Sequence, residues 1–113
     1  MKLVQAVIHP DRLSAVQAAL SAAEVFRLTV SDVSWIERPA AGPGLRFESA
    51  PRVRLDIAVN ESFVRPTVEA IYRAAGGAAS PGEGSGEACG QIYVLPLKDV
   101  VRIRTGERGP DAI

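Results

Sequence analysis

The sequence predicts an α+β domain: an antiparallel sheet carrying two helices on one face, in the order strand, helix, strand, strand, helix, strand. Three observations point there. Residues Arg52 to Val59 alternate strictly, with Val53, Leu55, Ile57 and Val59 apolar, as a strand with one face in a core requires. Two segments carry apolar stripes of helical period. Runs rich in glycine and proline then divide what remains into short β-branched stretches. At 113 residues the chain has room for a single domain spanning 1–113.

In order along the chain, Leu3 to Ile8 is a short apolar strand closed by His9-Pro10. Proline suits the first helical turn, and Asp11 suits the positive end of the helix dipole. Leu13, Val16 and Leu20, with Ala19 and Ala23, form the stripe of a helix ending near Glu24. Phe26 to Ile36 reads as a long strand whose alternation is imperfect, because Val33 and Trp35 fall opposite Phe26, Leu28 and Val30. A bulge, or burial of both faces, is predicted there. Glu37 to Pro51 holds three prolines and two glycines in fifteen residues and reads as an exposed loop. After the Arg52–Val59 strand, Asn60 or Ser62 caps a second helix with the stripe Val64, Val68, Ile71, Tyr72 and Ala75. Pro66 requires that it lie in that helix's first turn. Gly76 to Gly90, with six glycines and a proline, is a second long loop. Gln91 to Leu95 and Asp99 to Arg104 read as strands, and Thr105 to Ile113 as a polar tail. This order is the ferredoxin-like pattern.

Composition narrows the function. Thirteen basic and thirteen acidic residues leave no net charge, which argues against bulk electrostatic attachment to nucleic acid or an anionic membrane. A single cysteine, Cys89, rules out an internal disulfide framework, and with one histidine no His- or Cys-rich metal site is expected. No apolar run approaches a membrane span, and Met1 to Asp11 does not read as a signal peptide. A soluble cytoplasmic protein is the expectation, with any membrane association made through a partner.

Met1-Lys2-Leu3-Val4-Gln5-Ala6-Val7-Ile8 with Pro10, followed by Leu28-Thr29-Val30-Ser31-Asp32-Val33, resembles the opening of the PII signal-transduction family. Asp99-Val100-Val101-Arg102-Ile103-Arg104-Thr105-Gly106-Glu107-Arg108-Gly109 resembles that family's C-terminal signature. The resemblance covers nearly the whole chain outside the two long loops. It implies a homotrimer of ferredoxin-like subunits that binds adenine nucleotides in clefts between neighbours. It also implies a T-loop (37–51) that docks on protein targets, and a B-loop (76–90) and C-loop (102–113) that hold phosphates. PII proteins are sensors and not enzymes.

Residue by residue, the resemblance gives Thr29 a contact to adenine, Arg38 the opening of the T-loop, Gly90 the end of the B-loop, and Arg102 and Arg104 the phosphate contacts. Ala58, Cys89 and Gln91 complete the expected nucleotide set. Arg-x-Arg on a strand puts both guanidinium groups on one face, where each can bind an anion with two parallel hydrogen bonds. The departures matter as much. Pro39 stands where members that sense 2-oxoglutarate have glutamine, and Trp35 and Glu37 replace two glycines. The T-loop lacks the tyrosine that is uridylylated. The B-loop has no Lys or Arg between Ala74 and Leu97, carries Glu83 and Glu87, and has Gln91 in place of the phosphate-contacting lysine. ADP or AMP is therefore expected in preference to ATP. With the 2-oxoglutarate determinants gone, bicarbonate beside Arg38, Arg52 or Arg102 is the expected second ligand, and a partner in inorganic-carbon uptake or fixation, such as a bicarbonate transporter, the expected target. Two alternatives stand beside this: a regulator of nitrogen metabolism or of a transporter answering to energy charge alone, and a structural trimer that binds no nucleotide.

Other features have plain readings. Gly82-Glu83-Gly84-Ser85-Gly86 lacks the Lys-Ser/Thr and the following helix of a P-loop. Cys89 has no neighbouring cation in sequence to lower its pKa, so it reads as an inert thiol. His9 reads as structural. Trp35 is divided between packing, in the core or at a subunit interface, and stacking on a nucleotide. No nucleophile–histidine–acid set suggests catalysis.

Overall fold

A computed structural model of the chain describes residues 1–38, 44, 47–77 and 90–113. Four strands form one antiparallel sheet: β1 (Lys2–Ile8), β2 (Thr29–Glu37), β3 (Glu48–Val59) and β4 (Gln91–Pro96), in the spatial order β2-β3-β1-β4. Helices α1 (Leu13–Ala22) and α2 (Glu61–Ala74) cover one face. This mixed architecture agrees with the ferredoxin-like pattern.

Register follows from the side-chain period of two. Val4 pairs with Ile57, Ala6 with Leu55 and Ile8 with Val53, so these residues share the helix-covered face. Val16 and Leu20 of α1 and Ile71 of α2 close the core over them. The opposite face carries Gln5, Arg52, Arg54, Asp56 and Tyr93, with Leu3, Val7, Val33, Trp35 and Leu95. No element among the described residues covers it.

Chain turns explain where the elements stop. A 3₁₀ turn at Pro10–Arg12 precedes α1, and the ring Nδ1 of His9 accepts the Asp11 N–H at 3.2 Å, which supports the structural reading of His9. At the far end of α1, Glu24 adopts φ +64° and donates to Ser21, while Val25 donates to Leu20 at 2.8 Å. This Schellman closure draws Val25 into the core. Residues up to Leu28 are spent descending to the sheet, so β2 begins at Thr29, not at Phe26, which is 74% exposed. The pairing of β2 with β3 holds one register throughout, from Thr29↔Asp56 to Glu37↔Glu48. Neither the predicted bulge nor burial of both faces is found in the single chain. The imperfect alternation belongs to an edge strand, with its apolar residues on both sides.

Three further expectations are corrected. β3 starts at Glu48, so Glu48 to Pro51 are strand residues and not part of a loop. Beyond Val53, the partner of Ile8, one edge of β3 has no neighbour, and a proline is tolerated at such a position. Pro66 lies inside α2 beyond the first turn, and Asn60 sits at the cap position without a capping bond from its side chain. Asp99 to Arg104 is not a strand. It holds an isolated Val101↔Arg108 bridge around a turn, with Gly106 at φ +76°, and Ile103 fully outside. Instead of pairing with the sheet, the chain there folds back on itself, Arg102 donating its N–H to the Glu107 carbonyl at 2.9 Å.

The segment after this turn does not trail into solvent. Gly109–Ala112 forms a 3₁₀ turn, Ala112 is buried, and the Asn60 side-chain amide donates to the Pro110 carbonyl at 3.2 Å. Among the described residues no helix is long and apolar enough to cross a membrane.

Candidate functional site

The predicted contact residues fall at three places in the chain. Thr29 opens β2 and Ala58 lies near the end of β3; together with Arg27, Asp56, Val100 and Ile113 they line a depression of about 250 Å³. Arg102 reaches the same end of the molecule, since its Nη2 donates to the Ile113 main-chain oxygen at 3.4 Å. Thr29, Ala58 and Arg102 are thus brought together.

Arg104 is not paired with Arg102 as expected. The one-face argument needs a strand, and Arg104 instead stands exposed in the turn that follows Arg102. Arg102 is half-buried and engaged: Nη1 lies 3.4 Å from the Glu107 carboxylate, while Nε is buried without a partner among the described residues.

Gly90 and Gln91 occupy the second place, at the opposite end of β1. Gln91 pairs with Val7, whereas Ala58 pairs with Leu3, four residues away or about 14 Å at a strand's rise. Gly90 has a packing reason of its own, because a Cβ there would lie 2.1 Å from the Val7 carbonyl oxygen. Gln91 accepts a hydrogen bond from the Tyr93 hydroxyl. Cys89 lies outside the described residues, as do Pro39, Glu83 and Glu87.

Arg38 and Arg52 lie towards the far end of the β2–β3 ribbon, away from both of these places and about 17 Å apart along it. Arg38 follows the last residue of β2, about 30 Å along that strand from Thr29 at the ordinary rise. Arg52 sits opposite Val33 on the open face; its Nη1 donates to the Pro51 carbonyl at 2.8 Å and its Nε is buried without a partner among the described residues. Trp35, on that same face, donates its indole N–H to Glu37 at 3.2 Å. It belongs neither to the core nor to the Thr29 depression.

Sequence reasoning missed Asp56 and Arg27. Asp56 lines the Thr29 depression, with one carboxylate oxygen taking the Gln5 amide at 2.7 Å and the other Arg54 at 3.2 Å. The alternation of β3 already placed Arg52, Arg54 and Asp56 on one face. That Gln5 joins them is a matter of strand register, which spacing alone does not reveal. Arg27 gave no signal, because Phe26 to Ile36 read as continuous strand.

Sequence comparison with known proteins gives the family. Residues 1–107 match the family described as nitrogen regulatory protein P-II. The chain is 41% identical to nitrogen regulatory protein GlnK1 of Methanosarcina mazei, over all of its own length and 97% of the relative's. It is 33% identical to the nitrogen regulatory protein P-II of Azospirillum brasilense across the full length of both, and 32% identical to P-II 2 of Methanothermobacter thermautotrophicus across 97% of that protein. PII proteins are regulators and not enzymes. With the family match running almost end to end and a relative 41% identical along the whole chain, the chain belongs to the PII nitrogen regulatory protein family.

Proposed function

We propose that this protein is a trimeric PII sensor that binds ADP or AMP, in preference to ATP, in clefts between its copies and relays occupancy to a protein target. The observation that carries the reading is the division of the candidate contacts. Thr29, Ala58 and Arg102 lie at one end, Gly90 and Gln91 at the other, and Arg38 beyond the sheet, so no single chain gathers them around one nucleotide. Neighbouring copies, each offering a different end, do. The uncovered sheet face, with Tyr93 and Leu95 each 41% exposed, supplies apolar surface for such an assembly.

The preference for short nucleotides rests on charge. Gln91 offers no cation where the resemblance expects lysine, and none lies between Ala74 and Leu97. A hydrogen bond to a charged group is worth about 1.5–3 kcal/mol, so its loss weakens ATP by roughly 10–150-fold. Calorimetric titration tests this: ADP is expected to bind more tightly than ATP, and equal or tighter ATP binding refutes it. Light scattering on the eluting protein tests the trimer, and a thermal shift unmoved by any adenine nucleotide favours the structural trimer instead.

The names of the relatives favour a target in nitrogen metabolism over one in inorganic-carbon uptake or fixation. Bicarbonate as second ligand has three separate candidate positions, beside Arg38, Arg52 or Arg102, which stand apart in the chain. Adding bicarbonate at constant pH to the ADP titration decides it, and an unchanged affinity removes it.

A further inference from the structure

Arg102 already has an internal anion. Its Nη1 meets the Glu107 carboxylate at 3.4 Å, and Nη2 meets the Ile113 carbonyl at 3.4 Å. The contact is built, because the backbone holds the two residues opposite each other: Arg102 donates its N–H to the Glu107 carbonyl at 2.9 Å, and Gly106 donates to Arg102 at 2.7 Å. The Thr105 hydroxyl donates to the same Glu107 carboxylate oxygen at 2.9 Å and so fixes its direction. The other arginine of the turn, Arg108, points elsewhere, to Asp99 at 3.6 Å. Arg102 therefore joins two things: the Thr29 depression, through Ile113, and the docked C-terminal segment, through Glu107 and Ile113.

We infer that Glu107 is a positioning residue that competes with ligand phosphate for Arg102, so that anion binding displaces it and loosens the segment Gly109–Ile113. This rests on the nucleotide reading above. An incoming phosphate offers Arg102 a multiply charged group with more acceptor oxygens than the single Glu107 and Ile113 oxygens it now meets. Once the guanidinium turns to it, the segment is held, among the described residues, by the Gly109–Val100 main-chain bond at 2.9 Å, the Asn60–Pro110 bond and the burial of Ala112. Linkage then makes the effect reciprocal: whatever loosens the segment tightens the ligand by the same factor.

The test titrates ADP into the full-length protein, Glu107→Gln and Asn60→Ala, while amide exchange is followed from Gly109 to Ile113. Asn60→Ala loosens the segment without touching Arg102 or Glu107, and the Asn60 side chain makes no capping bond whose loss would upset α2. Arg102 and Glu107 form a partly exposed pair, so E107Q is expected to bind ADP about 1.5- to 5-fold more tightly. Asn60→Ala should shift affinity in the same direction. The segment's amides should exchange faster in both unliganded variants, and faster in the parent protein once ADP is bound. ADP binding to E107Q no tighter than to the parent, or slower exchange on adding ADP, overturns the competition while leaving the sensor reading intact. A parent protein that binds no ADP removes both.

Discussion

Glu24 stands where the chain needs a left-handed residue, and replacing it with glycine should stabilise the protein. Its φ of +64° lets Glu24 and Val25 donate back to Ser21 and Leu20 and so close α1. A residue with a Cβ in that region costs about 1–2 kcal/mol. Glycine removes the steric cost but adds about 0.5–1 kcal/mol of backbone entropy to be lost on folding. The carboxylate also sits at the negative end of a helix whose last turn has no basic residue, and its removal contributes about another 0.3 kcal/mol. The net expectation for Glu24→Gly is a gain of about 0.5–1.5 kcal/mol. Urea unfolding at fixed protein concentration measures it as a higher midpoint with an unchanged slope. Glu24→Ala separates the causes, because it deletes the charge and keeps the strained backbone, and it should gain no more than a few tenths of a kcal/mol. Equal gains from the two variants, or none from Glu24→Gly, would refute the backbone argument.

Two further substitutions probe packing that the sequence did not announce. Thr67 is completely buried and its hydroxyl has no partner among the described residues, so Thr67→Val should raise stability by about 1 kcal/mol in the same urea assay; a loss would mean the hydroxyl is satisfied in solution. Gly90→Ala forces a carbon against the Val7 carbonyl and should cost about 1–3 kcal/mol, with lost amide protection at Gln91 and Ile92. Parent-like stability and protection in that variant would show that the close approach at Gly90 is not required.

How far the residues spoke for themselves depended on whether a local period matched a local environment. The alternation of Val53, Leu55, Ile57 and Val59 did, since all four face the helices. The stripe of α1 did as well, with Val16 and Leu20 at its centre. In α2 the stripe was right in direction but wrong in rim: Tyr72 is half exposed, while Thr67, a polar residue no hydrophobic stripe would include, is at the bottom. The Asp99–Arg104 reading failed for a clear reason. β-branched residues announce extended backbone, but a strand also needs a partner strand to pair with, and here the chain folds back on itself through Gly106. That failure carried into the site, because the pairing of Arg102 with Arg104 assumed strand geometry.

By itself the sequence determined the order and faces of the main elements, the identity of the core, and, through its two end motifs, the PII family. These are local matters of side-chain period and of residues adjacent in the chain. Only the tertiary structure decided that Asp56 and Gln5 meet, that the C-terminal segment docks on Asn60, and that Arg102 is held by Glu107 and the Ile113 carbonyl. Each depends on strand register or on a turn that returns the chain to itself, and so on distances between residues far apart in sequence. The same registers also spread the candidate nucleotide contacts to opposite ends of one sheet.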